Sequence, residues 1–222
     1  MFSEKTFDFL CENRFRNSRE WFHENKQDFL KYVYEPLASL AMELAPVISE
    51  IDPQIITVPK TDKTISRVYR DTRYSRDKLL YRDHMWLSFK RDKKAFPHYP
   101  EFFVVVTPDG FSYGCGYYEA TPDAVVSMRK LITDRSPVFL NALNAFQAQN
   151  EFYLEGQRYK KSKYPNEPEN IRNWLDRKNL CAIADSKDFE LLFSDKLGEK
   201  LGEAFMKMEA LYNFFICAEE SK

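Results

Sequence analysis

The sequence predicts an α+β fold in which helices cover an antiparallel β-sheet, built as a single domain over residues 1–222. Apolar residues recur every three or four positions over residues 6–50, which is the spacing of amphipathic helices. They alternate with a period of two over residues 55–118, as in strands, and residues 121–222 return mostly to helical spacing. Helices and strands that are grouped along a chain rather than interleaved are typical of an α+β fold.

The N-terminal part predicts two helices, the first over residues 6–15. The inward-facing residues of this first helix are predicted to be Phe7, Leu10 and Phe15. A longer helix follows, with Asn17 as its N-cap and Glu20 as the capping-box partner three residues later. Because proline has no backbone N–H to donate, Pro36 predicts a kink or a break in this helix near Tyr34.

The central part predicts strands. A strand over residues 65–71 places alternate side chains on opposite faces, with Arg67 and Arg73 leaving on one side and Arg70 on the other. Residues 84–90 alternate in the same way. The runs 102–107 and 111–118 flank Pro-Asp-Gly, which is typical of a β-hairpin turn.

The C-terminal part predicts helices and one further strand. Thr121 or Asp123 caps one helix, and Pro137 opens the next. Residues 174–185 end in an apolar run consistent with a strand, and Ser194 caps the last helix.

The net charge of −1 conceals an uneven distribution of charged residues. Residues 60–94 contain twelve lysines or arginines and five acidic residues, whereas the rest of the chain has an acidic excess. Residues 156–170, with two prolines and many charges, predict an exposed loop. The near-neutral total therefore argues against a protein devoted to polyanions, whereas a local anion site is compatible with this pattern.

Composition and spacing exclude several functional classes. The four cysteines are far apart and have no histidines nearby, so neither a zinc site nor a redox motif is expected, and no cofactor is predicted. Cys115 has no identifiable base and is expected to be a core residue. The chain has neither a secretory signal nor an apolar run long enough to span a membrane, which predicts a soluble, cytoplasmic protein.

The highest local density of charge is the stretch SRVYRDTRYSRDK, residues 66–78, with five cations and two carboxylates. Arginine offers a planar pair of donors that suits carboxylate or phosphate. Arg67, Arg73 and Lys78 are predicted to hold such an anion, with Asp71 orienting an arginine. The predicted ligand-binding residues are Arg67, Arg70, Asp71, Arg73, Ser75, Asp77, Lys78, Tyr81 and Arg129.

The same stretch carries a resemblance to a known family. The pattern R-x-x-R-D-x-R-[FY]-S-x-D-K-x-x-Y over residues 67–81 resembles the signature of the bacterial family called domain of unknown function 2461. The segments FLCENRFRNSREWFHENKQDF and FSYGCGYYEATPDAVVSMRKLI are also similar to that family, whereas the chain after Phe152 lacks its Pro-Gly pair. The resemblance implies family membership and supplies no activity.

Two alternatives to an anion-binding cleft remain. In the first alternative, the arginines and aspartates of residues 66–78 form an internal ion-pair network that fixes the loop. In the second, the basic segment contacts nucleic acid weakly, through residues that include Lys90, Arg91, Lys93 and Lys94. The acidic remainder of the chain makes nucleic acid the less favoured partner, and the sequence specifies neither a reaction nor an oligomeric state.

Overall fold

A computed structural model describes residues 1–73, 76 and 78–221. Within this part of the chain, five strands form an antiparallel sheet in the order β1-β2-β3-β5-β4. The strands are β1 (Met85–Phe89), β2 (Glu101–Thr107), β3 (Gly110–Gly116), β4 (Tyr153–Glu155) and β5 (Cys181–Ser186). The predicted α+β class, the 102–118 hairpin and the strand ending at 185 are confirmed.

The helices fall before β1 and after β3 in the chain. They are α1 (Glu4–Arg16), α2 (Arg19–Glu24), α3 (Lys26–Phe29), α4 (Glu35–Ile51), α5 (Pro122–Thr133), α6 (Pro137–Gln147), α7 (Glu169–Leu175), α8 (Phe189–Leu192), α9 (Leu197–Lys207) and α10 (Glu209–Glu220). No helix in the described ranges is both long enough and apolar enough to cross a membrane.

The chain divides into two compact units. The first comprises Met1–Phe89, Phe103–Ser112 and Asp185–Gly202, and the second comprises Lys90–Phe102, Tyr113–Ala184 and Glu203–Lys222. The single domain expected from the sequence stays a prediction.

In the first unit, the turn between α1 and α2 differs from the predicted one. Asn17 adopts a left-handed conformation, φ 48°, and ends α1 instead of capping α2. Ser18 is the N-cap of α2, and its hydroxyl accepts a hydrogen bond from the backbone N–H of Trp21 at 3.2 Å. Asparagine tolerates the left-handed region better than most residues, which explains why it lies at this position. The Asn17 side chain makes a long-range contact instead of a cap: its Oδ1 accepts a hydrogen bond from the backbone N–H of Leu80 at 2.6 Å.

The prediction that Phe15 faces inward is wrong. Phe15 is 82% exposed, whereas Phe7 and Leu10 are buried as predicted. The buried face of α1 also includes Phe9 and Asn13. At about 100° per residue, position 15 lies on the opposite side of the helix from this face.

Near Tyr34, where a kink or a break was predicted, the helix is irregular but continues without a gap. Leu30–Tyr34 forms a π-helical turn, and Pro36 lies in the first turn of α4. Proline cannot donate to the carbonyl four residues earlier, that of Tyr32. This carbonyl instead accepts a hydrogen bond from the Thr6 hydroxyl at 2.7 Å, which ties α1 to the turn.

In the second unit, aromatic side chains of the last two helices pack on the sheet and on their neighbours. The Phe102 ring of β2 lies 5.1 Å from the rings of both Phe205 and Tyr212. The predicted final helix is interrupted at Met208, which has φ −94° and ψ 0° and separates α9 from α10. Both helices nevertheless bury apolar faces, as the sequence pattern predicted.

Replacing Gly116, the last residue of β3, with alanine is expected to destabilise the protein. Gly116 has φ 153°, and a Cβ there would lie 2.5 Å from the Cα of Cys181 and 2.7 Å from the carbonyl oxygen of Leu180. Because the contacted atoms are backbone, we expect Gly116→Ala to lower the free energy of unfolding by about 3 kcal/mol, measured by urea denaturation.

The matched control is Gly202→Ala in α9. There the nearest atom to a new Cβ is Val47 Cγ2 at 3.4 Å, an ordinary contact. Alanine is the better helix former, so this variant should gain roughly 0.5–1 kcal/mol. Effects of the same sign in both variants would contradict the prediction.

Candidate functional site

We call residues 66–78 the Arg-rich segment. In the first unit, the start of this segment pairs with the chain that leads into β1. Isolated bridges join Ile65 to Leu87 and Tyr69 to Tyr81. The backbone N–H of Arg82 donates to the carbonyl of Val68 at 3.0 Å, within the same pairing. Among the described residues, the first regular strand begins at Met85, so the predicted strand over residues 65–71 is a bridged extended segment.

The alternation of faces predicted for this segment is nevertheless present. Arg67, Tyr69 and Asp71 are exposed, whereas Ser66 and Val68 are buried. Arg70, on the same side as the buried pair, is half-buried and has an interaction partner of its own.

Arg67 is neutralised by a neighbouring carboxylate. Its Nε and Nη2 donate to the two oxygens of Asp62, with Nη2 2.6 Å from Oδ2. These hydrogen bonds raise the pKa of the Arg67 guanidinium. Asp62 lies in a tight turn at φ 68°, which places its side chain beside the extended segment. A two-point contact of this kind uses the donors that were predicted to face an anion.

Arg73 is neutralised in a similar way by Asp71. Its Nη2 donates to Oδ2 at 2.7 Å, and its backbone N–H donates to Oδ1 at 3.1 Å. These hydrogen bonds from Arg73 lower the pKa of Asp71 to about 2. Nearby, the Lys78 Nζ donates to the carbonyl oxygen of Thr72 at 2.8 Å. The predicted residues Ser75 and Asp77 lie outside the described residues.

Tyr81 belongs to an aromatic group in the core of the first unit. It is fully buried, its ring is stacked on that of Phe22 at 5.2 Å, and it lies 4.9 Å from the ring of Tyr69. Burial raises the pKa of the Tyr81 hydroxyl. Tyr81 therefore supports Tyr69, a residue that is 44% exposed.

Arg129 lies on α5 in the second unit and has its own partners there. Its Nη2 donates to the Tyr159 hydroxyl at 2.8 Å and to the Arg177 carbonyl at 3.0 Å. Its Nε donates to the Leu175 carbonyl at 3.3 Å. The guanidinium is thus held in place by acceptors within this unit.

A cleft of about 470 Å³ opens beside Tyr69 in the first unit. We call it the Tyr69 cleft, and its lining residues are Arg19, Glu20, Phe22, His23, Lys26 and Tyr69. The ring centroids of Phe22 and Tyr69 are 5.5 Å apart and the ring planes meet at 67°, and these two residues form its apolar wall. Such a volume falls in the range of small-molecule sites.

The charges of the Tyr69 cleft are not balanced. Across the described part of the chain, neither Arg19 nor Lys26 has a carboxylate within ion-pair distance. Glu20 accepts from the Ser18 hydroxyl at 2.7 Å, and this hydrogen bond lowers the pKa of Glu20, which is ionised at neutral pH. Two cations and one carboxylate leave a net positive charge beside the aromatic wall.

The sequence prediction missed the basic residues of this cleft. Arg19, His23 and Lys26 are four and three positions apart, which places them on one side of a helical segment next to Phe22. That spacing was the available signal, but basic residues on a helix are usually solvated and carry little weight by themselves.

Two other reactive residues of the described part of the chain, Cys115 and His84, have structural surroundings. Cys115 is fully buried, and burial raises the pKa of its thiol, so it is protonated near neutral pH. His84 Nδ1 lies 2.8 Å from Asp83 Oδ1, a contact between adjacent residues. In the described ranges, no group of three or more histidine, cysteine, aspartate or glutamate residues is placed to hold a metal ion.

The comparison with family models identifies a family that matches this chain. A family model described as "Conserved hypothetical protein (DUF2461)" matches residues 5–214 of the 222-residue chain. This range includes the Arg-rich segment, all residues of the Tyr69 cleft and Arg129. A search of curated proteins found no match.

The ion pair between Asp71 and Arg73 predicts an unusual carboxyl titration. In a ¹³C NMR titration, the Asp71 carboxyl should titrate near the low value of about 2. This pKa lies below that of an unfolded aspartate, roughly 3.9. The stability that the ion pair contributes is therefore fully present above about pH 3.9 and is lost as the pH falls through about 2. Arg73→Gln should return the midpoint toward about 4.

Arg67→Gln provides the control, because Arg67 pairs with Asp62 and not with Asp71. The Asp71 titration should be unchanged in this variant. A midpoint near 4 in the unmodified protein would show that the Asp71 pair does not form in solution.

Proposed function

The chain belongs to the DUF2461 family of conserved hypothetical proteins, and we propose that this member binds a small anionic ligand in its Tyr69 cleft. The observation that carries the proposal is the net positive charge of Arg19 and Lys26, neither of which is in an ion pair with a described carboxylate, beside exposed aromatic surface. Cations without a partner in a concave site attract an anion, whereas paired ones have already lost most of their field.

The charge and shape of the cleft favour a particular ligand class. Glu20 offsets one of the two cations, so the cleft suits a monoanion such as a carboxylate better than a multiply charged group. Arg19 provides the planar pair of donors that matches a carboxylate. The rings of Phe22 and Tyr69 supply apolar surface for a flat, preferably aromatic, ligand body.

The Arg-rich segment has a different part in this proposal. Its ion pairs, Arg67 with Asp62 and Arg73 with Asp71, favour the alternative in which these residues fix the loop. We therefore propose that the segment is a framework that presents Tyr69 to the cleft. Direct ligand contacts by Arg67, Arg70, Asp71, Arg73 or Lys78 stay a prediction.

The proposal predicts that a simple aromatic carboxylate stabilises the protein. Benzoate at ten times its Kd should raise the melting temperature by roughly 4 °C, measured against chloride at equal ionic strength. Acetate should have a smaller effect, because it lacks a ring to pack on Tyr69. Arg19→Gln and Lys26→Gln should each abolish most of the rise.

Arg16→Gln is the matched control, since Arg16 is exposed, pairs with Glu12 at 2.6 Å and does not line the cleft. It should keep the full response. A response lost in Arg67→Gln and Arg73→Gln but kept in Arg19→Gln would place the ligand on the Arg-rich segment instead. Absence of any benzoate effect, together with oligonucleotide binding that weakens steeply with salt, would favour the nucleic-acid alternative.

A further inference from the structure

A second concentration of positive charge lies in the second unit, around Tyr159. This residue is in the charged loop between β4 and α7, and its backbone N–H donates to the carbonyl of Asp176 at 2.9 Å. The loop is also held by Arg177, which is only 9% exposed and donates from Nη1 to the Gly156 carbonyl at 2.9 Å. Tyr159 thus occupies a defined position within an exposed, charged segment.

Three cations approach the Tyr159 ring. The Lys163 Nζ lies 4.2 Å from the ring centroid, the Arg129 Cζ 5.1 Å and the Lys178 Nζ 5.5 Å. We call Arg129, Tyr159, Lys163 and Lys178 the Tyr159 cluster. Because both ammonium groups lie so close to one centroid, their charges are at most about 10 Å apart. This limit is comparable with the Debye length of about 8 Å at physiological salt, so salt screens their repulsion only in part.

The charges of the Tyr159 cluster are only weakly compensated. Among the residues that the structure describes, no carboxylate lies within ion-pair distance of Lys163 or Lys178. Asp176 is the nearby acid, and its Oδ1 accepts from the backbone N–H of Lys163 at 3.1 Å. Cation–π attraction to one ring offsets part of the repulsion between three cations. A bound anion would offset far more.

We propose that the Tyr159 cluster binds a dianionic phosphate group, as in a phosphate monoester, between the ammonium groups of Lys163 and Lys178. Three cations whose charge is only weakly compensated by carboxylates suit a doubly charged anionic ligand. Arg129 donates to the phenol oxygen of Tyr159, which leaves the hydroxyl hydrogen available to a phosphate oxygen. Phosphate also has enough acceptor oxygens to receive both lysines and this hydroxyl at once.

Arg129 acts in this site as a positioning residue. Its contacts to the Leu175 and Arg177 carbonyls fix the guanidinium, which in turn orients the Tyr159 hydroxyl. The hydrogen bond from Arg129 also lowers the pKa of Tyr159, with smaller contributions from Arg129 charge and Lys163. An anion bound at the hydroxyl would act in the opposite direction, because it disfavours a phenolate.

This opposition gives a local test. In protein labelled with ¹³Cζ-tyrosine, the Tyr159 resonance is assigned by its loss in Tyr159→Phe, and its pH titration is followed in chloride or in inorganic phosphate at equal ionic strength. Phosphate should raise the Tyr159 midpoint by roughly one pH unit, which corresponds to about tenfold tighter binding beside the neutral phenol. Lys163→Gln and Lys178→Gln should each weaken phosphate binding about tenfold.

Lys160→Gln and Lys161→Gln are matched controls, since both lysines are exposed in the same loop and neither approaches the ring among the described contacts. They should change phosphate binding less than twofold. Arg19→Gln should also leave it intact, which separates this site from the Tyr69 cleft. An unchanged Tyr159 titration, or a response that survives in both Lys163→Gln and Lys178→Gln, would overturn the proposal.

A further experiment distinguishes a phosphate monoester from a phosphodiester as the ligand. Methyl phosphate should reproduce the effect of inorganic phosphate, whereas dimethyl phosphate, a monoanion, should be much weaker. Binding of an oligonucleotide without terminal phosphates, accompanied by no response to methyl phosphate, would replace the proposed site with a nucleic-acid contact.

Discussion

The mutual packing of three aromatic rings, Phe22, Tyr69 and Tyr81, is the interaction on which the candidate site in the first unit depends. Tyr81 is fully buried, with its ring centroid 5.2 Å from that of Phe22 and 4.9 Å from that of Tyr69, and the last two are 5.5 Å apart. This cluster joins α2 to the Arg-rich segment, and the bridge between Tyr69 and Tyr81 links the latter to the chain before β1 through the backbone. The Tyr69 cleft exists because Tyr69 remains partly exposed. Aromatic burial and the candidate site are therefore parts of one arrangement.

Whether a cation is already paired matters more for function here than how many cations a segment contains. The Arg-rich segment has the higher density of arginine, but Arg67 and Arg73 are each bound by an aspartate within five residues. Lys26 and Lys163 belong to less conspicuous stretches and have no carboxylate partner in the described parts of the chain. The free charge, and with it the capacity to attract an anion, lies where the sequence pattern is least distinctive.

Periodicity, together with the Pro-Asp-Gly turn and Pro36, predicted the features that depend on local geometry, namely the α+β class, the hairpin and an irregularity near Tyr34. It failed where angular position or a distant partner decides the outcome. Phe15 is apolar but lies on the wrong side of α1, and Asn17 was assigned a capping role that Ser18 performs. Arg129 is held by carbonyls 46 and 48 residues further along the chain, which no spacing rule anticipates. The Arg67 pair depends on a left-handed Asp62 in a turn that the sequence did not reveal.

The π-helical turn at Leu30–Tyr34 acts as an insertion that the fold has absorbed. Such a turn closes its hydrogen bond one residue later than an α-helical turn, so it contains one residue more. Because the wide turn takes up this extra residue locally, removing one residue from it would restore regular α-helical geometry without turning α4 away from its present neighbours. The leucines of α4 would stay in the core, whereas the Tyr32 carbonyl would no longer be presented to the Thr6 hydroxyl in the same way. The extra residue therefore matters for the link between α1 and the turn rather than for the direction in which α4 faces.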